Sequence, residues 1–178
     1  MFTRRAVLLG SVSIAVASAG CTEGGLEDVQ ETVLGAEDRG DIVGIYDQGI
    51  GQLNDANETR DAGIIAFNEE RFGDSIGSLE TSIEHYADAT DSFREAETMA
   101  EEAGVPPAVG ICDEAASHAE LMRESTLEAR EAASAAEAGE SAADINGHTE
   151  TSQELQAEAE ELTVSDPETL LDVLEARE

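Results

Sequence analysis

Apolar side chains recur at alternating intervals of four and three residues along most of this chain, and that spacing restricts it to packed helices. The first run is Ile42, Tyr46, Gly49, Leu53 and Ala56, resuming at Gly63 and Phe67. Arg60 occupies the missing register position; its stem is expected to lie on apolar surface with the charged head reaching water. A second run is Phe72, Ile76, Leu79, Ile83, Tyr86, Thr90 and Phe93, continued by Ala96 and Ala100. A third runs from Val109 and Cys112 through Ala116, Ala119, Met122, Thr126, Ala129, Ala133 and Ala136. A fourth carries Ile145, His148, Ser152, Leu155, Ala159 and Leu162. No β-branched, two-residue alternation interrupts them.

Helices are therefore predicted at about 41–69, 74–103, 107–138 and 141–162, with a short last helix opened by Asp166-Pro167 and carrying Leu170, Leu171 and Leu174. Gly73 is expected to end the first helix, with Asp74 capping the second. Gly104 closes the second helix and Pro106-Pro107 opens the third, which Gly139 ends. A period near 3.5 favours left-handed packing, and short connections force neighbours to run antiparallel. The predicted fold is all-α: an up-down antiparallel bundle of about four long helices, with short helical extras at both ends. Alanine dominates the second half of helix three, so that end of the core should be the weaker one.

The bundle occupies 39–178, and what precedes it has a different character. Arg4 and Arg5 are followed by an uncharged stretch from Ala6 to Gly20. A helix of that length rises roughly 22 Å, short of a bilayer core of about 30 Å, so residues 1–20 read as an export signal rather than a span. Thr3-Arg4-Arg5-Ala6-Val7-Leu8 resembles the twin-arginine export motif. Ser18-Ala19-Gly20-Cys21 resembles a lipobox, which implies lipid attachment at Cys21, although Ser18 stands where an apolar residue is usual. Residues 21–38 then form a tether, with Leu26, Val29, Val33 and Leu34 spaced for a short helix.

Charge defines the environment. The 41 acids are balanced by nine basic residues, all arginine, and lysine is absent. Without Arg4 and Arg5 seven arginines face 41 acids, a net charge of −34. Self-repulsion of that size opposes a compact state, whereas at 1 M salt the screening length is about 3 Å. The composition and the export motif together resemble lipoproteins of halophilic archaea. Nucleic acid is excluded as a partner by like charge. Asn57-Glu58-Thr59 is a glycosylation pattern that an exported chain exposes to modification at Asn57.

Residues 63–83 resemble a single tetratricopeptide-like helical hairpin. Gly63 matches the small residue of its first helix, Phe72 the turn aromatic, and Ser75, Leu79 and Ser82 the small-large-small pattern of the second. The resemblance implies a protein-binding scaffold. No second copy follows at the repeat period, and stable solenoids need several.

Chemistry is sparse. The residues three before His85, His118 and His148 are Ser82, Ala115 and Ile145, so the Glu-x-x-His pairs of di-iron bundles are missing. Glu114 and His118 share a helical face, an arrangement expected by chance among so many carboxylates. His148 falls on the apolar stripe and reads as a core histidine. Glu69-Glu70, Glu101-Glu102 and Glu160-Glu161 read as solvated faces. Cys112 lies on the third stripe between acids and reads as a buried thiol. No catalytic residue, cofactor or metal is therefore expected. The expectation is a non-enzymatic, lipid-anchored surface protein acting through an unidentified protein partner as a helical interaction or scaffold module. The alternative is an accessory or solute-binding subunit of a membrane transporter, which requires a cleft near Tyr46, Phe67, Tyr86 or His118 with polar groups converging on it.

Overall fold

Five helices account for nearly all of residues 35–176, which are those the computed structural model describes: α1 (Ala36–Asn68), α2 (Phe72–Glu102), α3 (Pro106–Ala138), α4 (Ala142–Glu160) and α5 (Pro167–Glu175). The expected export signal with Arg4, Arg5, Ser18, Ala19 and Gly20, the expected lipid-attachment residue Cys21 and the helix expected at 26–34 lie outside the described residues. Each of the first three connections is three residues long, so α1 to α4 run up and down as a bundle. α2 packs between α1 and α3, α4 lies along α3, and α5 touches both α1 and α3. The backbone of α4 does not approach that of α1.

Local chemistry sets the helix limits. Gly104 and Gly139 adopt φ of 68° and 71°, the left-handed conformation that ends a helix at little cost for glycine. Pro106 occupies the first turn of α3, where no backbone donor is needed. Ser141 and Asp166 cap α4 and α5 by accepting from the backbone N–H of Asp144 and Thr169, at 3.3 and 2.7 Å.

The turn between α1 and α2 differs from expectation. α2 begins at Phe72, so Gly73 and Asp74 lie inside its first turn. The left-handed residue is Glu70, at φ 60°. Phe72 sets this start by packing edge-on against Phe67, with ring centroids 5.7 Å apart. Arg71 holds the turn by pairing with Glu69 and Asp74, each at 2.7 Å.

The stripe on α1 is buried as expected from Ile42 to Gly63; on α2 it is buried as expected at Leu79, Tyr86, Phe93, Ala96 and Ala100 and shifts by one residue at Ile76, Ile83 and Thr90. Ser75, Ser82 and Ala89 are buried in place of Ile76, Ile83 and Thr90, which are half-buried at the edges of the interface. A helix sandwiched between two neighbours needs small residues at its centre line so that both backbones can approach. Ser82 uses its position to donate to the Ala56 carbonyl at 2.8 Å. α3, also flanked on two sides, buries a second row formed by Ala108, Ala115, Ser125, Ala132 and Ala135. α4 buries only Ser152 and Ala159 and docks thinly.

Two apolar clusters result. The larger joins Ile42, Tyr46, Leu53, Tyr86, Phe93, Cys112 and Met122 to Leu170 and Leu174 of α5. The smaller consists of Leu79, Ala129 and Ala133, with Ile64, Phe67 and Ile76 packed against it. α1 meets α2 closely at both: a methyl group on Gly49 would stand 2.6 Å from the Phe93 ring, and one on Gly63 would stand 2.7 Å from Leu79.

A candidate solute-binding cleft

Arg60 is 9% exposed, so its guanidinium lies inside the bundle rather than reaching water as its register position suggested. The reason is α4, whose Gln156 side chain reaches across to it from the C-terminal half of that helix. Nη2 donates to Oε1 of Gln156 at 2.8 Å and to Oγ of Ser125 at 3.4 Å. Nε is buried and has no hydrogen-bond partner. Arg71, Arg94 and Arg130 pair with carboxylates, whereas Arg60 forms no ion pair among the described residues. A charge taken out of water and left unpaired is costly. Arg123 also has no ion pair among the described residues but is exposed, so what sets Arg60 apart is its burial.

The guanidinium borders a cleft of about 280 Å³ between α1 and α4. That volume is near the lower end of the roughly 300–1,000 Å³ typical of small-molecule sites. One wall is apolar, made by Ile64 and Phe67 of α1 with Ala129 and Ala132 of α3. The other is polar, made by Thr149, Ser152, Gln153 and Gln156 of α4, with Asp61 and Asn68 at exposed positions of α1. Beneath it, Ser125 and Ser152 lock α3 to α4. Each hydroxyl donates to the other's backbone carbonyl, at 2.7 and 2.8 Å. The Gln156 amide donates in turn to Glu160 at 3.0 Å.

Of the four aromatic and histidine positions singled out in the sequence, Phe67 lines the cleft and the other three do not. Tyr46 is buried and donates to the Ser165 carbonyl at 2.8 Å. Burial pushes the Tyr86 phenol up to about 12, and its hydroxyl donates to Asn57. His118 meets the Ala159 carbonyl through Nδ1 at 2.9 Å, which ties α3 to the end of α4. Asn57 itself is half-buried in mid-α1. His148 is not a core residue: it is partly exposed and pairs with Glu128 at 2.7 Å, which raises its pKa above the ordinary value. Cys112 is buried as expected, with its thiol pushed up to about 12 by burial and then by the charge of Glu97. Gln153, Gln156, Ser125 and Thr149 escaped the sequence reading. The available signal was a pair of register violations, Arg60 on the first stripe and Ser152 on the fourth.

Among the described residues no three His, Cys, Asp or Glu side chains converge as a metal site would require, and no helix is long and apolar enough to cross a membrane. No protein-family model, no curated protein and no solved structure matches this chain.

Proposed function

We propose that this chain is a lipid-anchored surface protein of a halophile whose helical domain binds a small organic solute in the Arg60 cleft, as an accessory or binding subunit beside a membrane transporter. One observation carries the reading: a buried guanidinium without a carboxylate partner borders a cleft that is half apolar and half hydrogen-bonding. Sites for small molecules combine these two surfaces, and a few convergent polar groups fix orientation. A scaffold module would instead favour an exposed apolar strip. Among the described residues the exposed large hydrophobic is Ile65, standing alone.

The anchoring half of the proposal rests on Arg4, Arg5 and the Ser18–Cys21 sequence. Cys21→Ser is expected to release the protein from membranes into the medium, followed by fractionation. Unchanged membrane retention of that variant would contradict the anchor. For the binding half, a panel of small carboxylates, amides, polyols and amines is added to the purified domain during thermal unfolding. A ligand that binds only the folded state raises the melting temperature as its concentration exceeds its dissociation constant. A panel that leaves the transition unmoved contradicts solute binding.

A further inference from the structure

We infer that the ligand of the cleft is a small monocarboxylate carrying a short apolar tail, a deduction that rests on the solute-binding reading above. The head is identified by a missing charge. Arg60 is nine-tenths buried, and its two hydrogen-bond acceptors, Gln156 and Ser125, are both neutral. Five glutamines stand in the chain against 41 acids, yet an amide rather than a carboxylate faces this cation. Gln156 thus holds the place of an anion. A ligand carboxylate displaces its Oε1 from Nη2 and replaces a cation–amide hydrogen bond with a salt bridge between opposite charges, for which the guanidinium fork is shaped. The freed amide keeps its bond to Glu160.

Charge number follows from the surroundings. One guanidinium balances one negative charge, and Asp61 lies at the exposed side of the same cleft. A dianion such as phosphate would carry an uncompensated charge into a strongly acidic protein. The tail follows from the apolar wall beside Arg60, where Ile64, Phe67 and Ala132 offer apolar surface in a cleft whose volume lies near the lower end for small-molecule sites.

Isothermal titration of the whole domain with isocaproate, isocaproamide and inorganic phosphate separates the possibilities. The expected result is binding of isocaproate, with the amide and phosphate weaker by at least about tenfold. Gln156→Glu supplies the missing carboxylate from within and is expected to abolish isocaproate binding while the domain stays folded. Arg60→Met is expected to do the same by removing the cation. Equal binding of the amide, or tighter binding of phosphate, overturns the monocarboxylate while leaving a solute in the cleft. Isocaproate binding that survives both variants places it elsewhere and overturns the inference. If none of the three probes binds but another solute of the wider panel does, the inference fails alone. If nothing binds, the solute-binding reading fails with it.

Discussion

The two ends of the bundle use the same helices to opposite purposes. At one end α5 packs against α1 and α3, and Leu170 and Leu174 join Tyr46 and Phe93, whose rings lie 5.1 Å apart, in a continuous core. At the other end no such helix intervenes. α3 presents Ala129, Ala132 and Ala133, and α4 presents serine, threonine and glutamine. Small and polar side chains cannot fill the space between α1 and α4, and the cleft is what remains. The lesson is one of side-chain volume: backbones arranged alike give a packed core where Phe, Tyr and Leu meet, and a site where alanine faces glutamine.

Substitutions at the packed end test the contrast most severely. Phe93→Ala is expected to lower unfolding free energy by about 3–5 kcal/mol in denaturant titrations, because a wholly buried ring leaves a cavity its neighbours cannot close. A loss under about 1 kcal/mol would mean the packed end is not packed. Next in size, Gly49→Ala is expected to cost about 1–3 kcal/mol, since the added methyl meets the Phe93 ring at 2.6 Å. Gly51, with open space around it, gives the opposite sign: Gly51→Ala gains about 0.5–1 kcal/mol from helix propensity alone. Equal signs for the pair would refute the close α1–α2 contact.

At the open end, removing the buried charge should do little harm. Arg60→Met is expected to leave stability within about 1 kcal/mol of the parent, because an unpaired buried cation contributes no net stability that an apolar chain of similar length cannot supply. A large loss in equilibrium unfolding would make Arg60 a structural element and weaken its assignment to a ligand. The smallest effect is pH-dependent. The folded pKa of His148 is raised by its bond to Glu128, so its contribution to docking α4 is fully present below the unfolded value of about 6.5 and is lost as pH rises through the folded value. Amide exchange in α4 should therefore quicken, relative to α2, above neutral pH beyond the intrinsic base catalysis. His148→Gln should abolish that excess.

Much of the fold was legible because its signals are local. Gly104, Pro106, Gly139 and Pro167 punctuate the helices through backbone geometry that needs no tertiary context, and the observed limits fall near the expected ones. The shifted positions on α2 were not legible from apolarity, although the small-large-small pattern had set Ser75, Leu79 and Ser82 on one face. Apolarity marks Ile76 and Ile83, but a helix held between two others buries Ser75 and Ser82 at its centre line instead. The cleft was half legible. Arg60 broke the first stripe visibly, and Phe67 stood among the residues expected near any pocket. Whether the guanidinium reaches water or turns inward depends on where α4 lies; the fourth stripe names Ser152 and Ala159, the residues α4 buries, but periodicity does not say which neighbour that face meets. Gln153 and Gln156 carry no sequence signal, since glutamine on a polar helix is indistinguishable from solvated surface.

Solute binding in the cleft depends on the guanidinium that lacks a carboxylate partner, and the Nε–H resonance of Arg60 reports on it directly. In a two-dimensional nitrogen–proton spectrum of the domain in molar salt, addition of isocaproate is predicted to move that resonance downfield and slow its exchange with water. The response should saturate with the calorimetric binding curve and vanish in Gln156→Glu. An Arg60 resonance that stays unmoved at saturating isocaproate would contradict the account.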